Sequence, residues 1–182
     1  MAHRSVVKVV PGKASIKGAA ILKVPVVVTE QNRKALGATV SELPLSSLPT
    51  ECVPAWSPLD KTKFSMVLPE VVKSLHDWGT KSVVLFGIES HVCVLQTALD
   101  LLERDIDVHV LADGVSSCNH GEVAIALDRL RQAGAQVTTS ESVLFQLMVD
   151  ASHPQFKQVS GLIKESKQPT TEALERLVVG KL

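Results

Sequence analysis

The cysteine at position 93 lies within KSVVLFGIESHVCVLQTALDLL (residues 81–102). A β-branched run over 82–86 ends at Gly87, and an apolar segment of helical period begins around the cysteine. Such a strand–turn–helix path aims Cys93 out of the carboxyl end of a sheet, against the positive end of a helix, where thiolate is favoured over thiol. The chemistry open to that group is nucleophilic attack on a carbonyl carbon. Its usual helpers are a nearby cation, N–H groups for the developing oxyanion, and a carboxylate that moves the proton. No aspartate precedes Asp60 in this chain, so the last helper is in question from the start.

The elements that must position Cys93 alternate along the chain. Residues 24–29 (VPVVVT) read as a buried strand because the run is continuous and β-branched. Residues 32–60 carry Gly37, Pro44, Pro49, Pro54 and Pro58 and read as an irregular excursion. A helix is predicted over 67–78 with Gly79 as its stop, then a strand at 82–86, a helix at 92–105, a strand at 107–112 and a turn at Asp113-Gly114. Asn119 to Glu122 looks like a capping box for a helix reaching Ala133. A strand at 136–139 follows, then helices at 140–149 and 154–165 and a last amphipathic turn near 173–178. Strands alternating with helices imply a three-layer α/β/α sandwich with a mostly parallel, doubly wound sheet. The expected division is one domain over 1–165 and a tail over 166–182.

Composition narrows the function classes. Lysine plus arginine equals aspartate plus glutamate at 19 each, which gives no electrostatic case for nucleic acid or a membrane surface. An apolar share of 45% with 21% charged residues suits a globular domain. Three cysteines (Cys52, Cys93, Cys118) without metal-like spacing point to a reducing compartment rather than a disulfide framework. Cytoplasm is the expected location. The N-terminus is acid-free through Val28 and carries Arg4, Lys8, Lys13, Lys17 and Lys23, a pattern that also admits mitochondrial import.

Several segments together carry a resemblance. GIESHVCVLQTALDLL followed by VHVLADGVSS, with VPVVVTEQ (24–31), KTKFSM (61–66) and HPQFK (153–157), resembles the isochorismatase-like cysteine hydrolases, the superfamily that includes nicotinamidases. The resemblance implies a six-stranded parallel sheet between helices and an Asp–Lys–Cys constellation at the strand ends. By motif the cysteine falls on Cys93 and the lysine on Lys61, and the oxyanion pocket on the backbone N–H groups of Glu89 and Cys93. A cis peptide at Ile88–Glu89 is implied as well. The family's aspartate follows its first strand, and that place is empty here. The expectation is therefore that the segment bearing a central strand end and its base is deleted or replaced, with Val6–Val10 filling the vacated strand position at least in part.

The resemblance to nicotinamidases would imply a metal held by an aspartate and histidines in the loop after the second strand, but no histidine lies between His3 and His76, so no metal site is expected, and no cofactor. Lys63 rivals Lys61 if the segment is extended. His91 stands two residues from Cys93, a spacing that does not face it on a helix, so a rim position is expected. Cys118 and His120 form a weak redox or metal candidate. Glu30 and Gln31 are expected at the pocket rim. The functional expectation is a hydrolase-like fold with a Cys93/Lys61 pocket, weakly active or inactive, acting through a small-molecule ligand or a protein partner, and assembling as a homo-oligomer. The alternative is an active hydrolase of a small amide or ester using Glu30 or water as substitute base.

Overall fold

The alternating pattern becomes an α/β fold in the computed structural model, which describes residues 6–175 and their side chains from residue 12 onward. The order is α1 (Val6–Leu22), β1 (Thr29–Gln31), α2 (Arg33–Leu36), β2 (Leu59–Lys61), α3 (Pro69–Asp77), β3 (Ser82–Ile88), α4 (Leu95–Leu102), β4 (Asp107–Ser116), α5 (Gly121–Gln132), β5 (Gln136–Thr138), α6 (Ser140–Met148) and α7 (Phe156–Leu174). Every strand pairing is parallel, but among the described residues the strands form two pieces, β1-β2 and β3-β4-β5. One core gathers Leu85, Val108 and Val110 of the sheet with Leu95, Ala98 and Leu101 of α4 and Val123, Leu127 and Leu130 of α5. A second cluster joins Leu144 and Met148 of α6 to Val159 and Leu162 of α7, with Ile21 and Leu22 of α1 against it. The sheet pieces and these two helical groups form the layers of the sandwich.

The expected strand at Val6–Val10 is corrected: those residues open helix α1, which passes through Pro11 and Gly12 and packs along α7. The β-branched run has strand propensity, but that preference yields to context. Here the apolar segment behind it, with Ala14 and Ile16 buried, carries the whole stretch as one helix. The strand expected over 24–29 enters a ladder only at Thr29. Its approach is extended and bonded on one side, Val26 N–H to the Cys52 carbonyl (2.8 Å) and Leu59 N–H to the Val28 carbonyl (3.0 Å). Strand β2 was not legible, because Leu59–Lys61 is a short, charged segment inside the proline-rich excursion. The helices expected at 154–165 and beyond are one helix, α7, with Pro169 inside it and Thr170 and Ala173 buried. Residues 176–178 of the expected last turn lie outside the described residues.

The turn expected at Asp113-Gly114 is also corrected, since β4 runs on to Ser116. Leu85 pairs with Val110, and the next matched pair is Gly87 with Val115, so β4 bulges between them. Within the bulge the buried Asp113 carboxylate accepts from Ser140 N–H (2.9 Å) and Ser140 Oγ–H (2.5 Å), holding the start of α6. Gly114 fits because a Cβ there would lie 2.9 Å from Phe86 Cβ and 3.0 Å from Leu111 Cβ. Neither neighbour can swing aside. In α7, a Cβ on Gly161 would meet nothing within 4 Å. Gly114→Ala is therefore expected to cost about 1–3 kcal/mol by overpacking, and Gly161→Ala to add about 0.5–1 kcal/mol through helix propensity. Urea unfolding of both variants checks the opposite signs.

Candidate functional site

Cys93 stands in a π-helical turn, Ser90–Val94, between β3 and α4. The chain enters it through a cis peptide at Ile88–Glu89, as the resemblance implies. The Glu89 carbonyl accepts from both Val92 N–H (3.2 Å) and Val94 N–H (3.1 Å), which winds the turn about that oxygen. Single π turns of this kind recur at functional sites. The Cys93 side chain is half-buried. Among the described residues, no carboxylate hydrogen-bonds to its sulfur.

Lys61 ends β2 and is buried at 6% exposure. Its ammonium donates to Gln31 Oε1 (2.5 Å), the Lys63 carbonyl (2.9 Å) and the Phe64 carbonyl (2.7 Å). Burial lowers the Lys61 pKa from the usual lysine value, and negative charge on Cys93 opposes that shift, so the two side chains share one electrostatic site. Gln31 also donates from Nε2 to the Thr62 carbonyl (2.8 Å), clasping the loop after β2.

That loop is tied to the helix behind Cys93. Met66 N–H donates to Thr97 Oγ1 (2.9 Å), and the Thr97 hydroxyl donates to the Cys93 carbonyl (2.6 Å). Lys63 pairs with Asp100 at 2.9 Å, so it serves as a tether on α4. Burial raises the Asp100 pKa, but hydrogen bonds from Ser65 and Lys63 and the charges of Lys63 and Arg104 outweigh it and hold the carboxyl low.

Glu30 and Gln31, adjacent on β1, part company. Gln31 joins Lys61, whereas Glu30 is buried and accepts from Thr39 N–H at 2.6 Å, with Arg33 Nε 3.3 Å away. The Thr39 bond is the main reason its carboxyl is held below the ordinary range. His91 is half-buried, with Nδ1 2.9 Å from Ser117 Oγ. Cys118 is exposed, and its N–H donates to Glu89 Oε2 (2.5 Å). Asn119 Oδ1 accepts from Gly121 N–H (3.1 Å) at the start of α5. Among the described residues, no group of three histidine, cysteine or acidic side chains could hold a metal ion, and no helix is long and apolar enough to cross a membrane.

Sequence reasoning missed the bonds among Ser90, His91 and Ser117 and the tether through Thr97 and Asp100. Their one-dimensional signal is only a serine pair after a strand and polar residues at helical spacing, which occur widely without any role.

A cysteine on a β-to-α turn and a buried lysine within its electrostatic reach, on parallel strands layered with helices, define a hydrolase-like α/β fold. The Isochorismatase domain model matches residues 12–142, and the chain belongs to that family. It is 48% identical over 156 residues to Isochorismatase domain-containing protein 1 of Danio rerio, covering 85% of this chain and 53% of that protein. The chain thus spans about half the length of that relative. It is 46% identical over 151 residues to Isochorismatase domain-containing protein 2 of Xenopus laevis, covering 82% of this chain and 70% of the relative. Among solved structures, the MAR1 ribonuclease of Caenorhabditis elegans superposes with a TM-score of 0.79 at 43% identity, covering 86% of this chain and 79% of that one.

The electrostatic pairing of Lys61 with Cys93 has a measurable consequence. The folded protein is expected to release the Lys61 proton at a lower pH than the unfolded chain does, so stability rises with pH across that interval. Cys93→Ala removes the charge that opposes the shift and is expected to lower the Lys61 pKa further. NMR titration of the Lys61 side chain in both proteins checks it; an unchanged midpoint would show that the two groups do not interact.

Proposed function

We propose that this chain uses the isochorismatase pocket to capture a small carbonyl compound at Cys93 and turns it over weakly or not at all, so that it acts by binding a ligand or a protein partner. The observation that carries this reading is the buried Lys61 ammonium, within electrostatic reach of Cys93 and bonded to Gln31, Lys63 and Phe64, with no carboxylate hydrogen-bonded to the sulfur among the described residues. An ammonium next to a thiol supports attack on a carbonyl, and the N–H groups of Glu89 and Cys93 are the proposed receivers of the oxyanion. What is lacking, among the described residues, is a carboxylate hydrogen-bonded to the sulfur that could activate water for release of the acyl product. General-base help is worth about 10²–10⁴ in rate, enough to separate a single acylation from sustained hydrolysis. Glu30 does not supply it in this reading, because its carboxylate is engaged by Thr39 and Arg33.

The reading needs no cofactor or metal. It places the protein in the cytoplasm, with mitochondrial import as the other address, in keeping with three free cysteines, and it includes assembly of like copies. The ribonuclease activity for which the Caenorhabditis elegans protein is named does not extend to this chain in this reading, since the balanced charge offers no electrostatic pull on RNA.

The test uses p-nitrophenyl acetate. Expected is a burst of nitrophenolate approaching one equivalent per chain, with mass spectrometry placing the acetyl group on Cys93, followed by slow release. Cys93→Ala should give no burst. Sustained turnover that vanishes in Cys93→Ala would overturn the binding role and make the protein an active hydrolase of small esters or amides.

A further inference from the structure

The segment after β4 grips the residues in front of Cys93. Ser117 is 5% exposed, and its hydroxyl meets three partners, all in residues 90–91. Ser90 N–H donates to it at 3.2 Å, Ser90 Oγ lies 2.5 Å away and His91 Nδ1 2.9 Å away. A hydroxyl offers one donor and two acceptor positions. The Ser117 oxygen accepts from the Ser90 amide, donates to one of the other two partners and accepts from the other, so its capacity is full. One residue further on, Cys118 N–H donates to Glu89 Oε2 at 2.5 Å. Residues 117–118 thus hold the Ser90 amide and the side chains of Glu89, Ser90 and His91. This is the stretch that follows the cis Ile88–Glu89 bond and opens the π-helical turn holding Cys93.

The grip is more than helix capping needs. Ser90 is fully buried, and a buried amide and two hydroxyls sharing one another leave no slack in the turn's orientation. The group with most to lose from slack is the Glu89 amide, which must point at an oxygen that exists only during reaction. Such donors act through placement, and errors near 1 Å are costly.

We propose that Ser117 is a positioning residue that sets the orientation of the Glu89–Cys93 turn and hence of the N–H groups that receive the oxyanion when Cys93 is acylated. The inference rests on the acylation reading above. It yields a split between two reactions of one sulfur. With p-nitrophenyl acetate, the thiolate forms a C–S bond to the carbonyl carbon, negative charge develops on the carbonyl oxygen, and the C–O bond breaks to release nitrophenolate. With iodoacetamide, the thiolate displaces iodide from a methylene carbon, and no oxyanion forms.

Ser117→Ala is expected to slow acylation of Cys93 about ten- to hundredfold while leaving its iodoacetamide rate within about twofold, and Ser117→Thr, which keeps the hydroxyl, should recover part of the loss. Equal acylation by wild type and Ser117→Ala overturns the inference alone. A parallel fall in both reactions overturns it too, since that reports a general structural loss. Wild-type protein that takes up no acetyl group overturns both this inference and the reading beneath it. If Ser117→Ala does not fold, Ser90→Ala removes the partner hydroxyl and is judged by the same two rates.

Discussion

A lysine ammonium taken out of water costs several kcal/mol, and the site is organised around meeting that cost. Lys61 does so with three oxygens, from Gln31, Lys63 and Phe64. Hydrogen bonds to a charged group contribute about 1.5–3 kcal/mol each, so three of them offset much of that cost, and the lowered Lys61 pKa shows that part of it remains. Two of the oxygens are backbone carbonyls of the loop that follows Lys61 itself, which means the loop must curl around its own side chain. The third comes from β1, so the ammonium also fastens β1 to that loop. One charge therefore fixes local backbone, strand ends and the electrostatic setting of Cys93 together.

The two halves of the site come from different sheet pieces, and their meeting depends on tethers. Lys61 belongs to β2 and Cys93 to the turn after β3, with no strand pairing between those pieces among the described residues. Thr97 and Asp100, one turn apart on the same face of α4, hold the loop at Met66 and Lys63. The Thr97 bond reaches the Cys93 carbonyl directly. Asp100 is partly exposed and contributes modestly, as an ion pair near the surface does. Thr97 is fully buried, and its bonds are of the kind whose loss leaves an amide unsatisfied. Of the two tethers, Thr97 is the stronger constraint.

How much of this was legible in the residues follows from the range of the signal. Strand β3 and helix α5 are local: a β-branched run, a stop glycine and the Asn119–Glu122 stretch announce them, although the N-cap of α5 is His120 and carries no side-chain cap bond. Lys61 and Cys93 were legible through motif, and Gln31 through its place at a strand end. Strand β2 was not, because a three-residue parallel strand draws its pairing from β1 and has little periodicity to show. Val6–Val10 misled for the opposite reason, since a short-range preference was plain and the packing that overrode it lay at α7, far along the chain. The Ser117 network was invisible because its partners stand 26–27 residues apart.

Glu30 shows how a strand divides chemistry between its faces. Successive side chains on β1 point to opposite sides, so Gln31 near Lys61 requires Glu30 to face elsewhere. The carboxylate next to Gln31 is thereby kept off the sulfur, and the fold then engages it with a backbone amide and an arginine. Glu30 Oε2 still lacks a hydrogen bond, and a buried carboxylate oxygen left so would gain from one. Turning the side chain toward Cys93 would break the Thr39 bond that holds its pKa down and would reverse the pleat of a strand whose neighbour anchors Lys61. The alternation of a three-residue strand, more than any distance, is what separates the lysine from a proton acceptor.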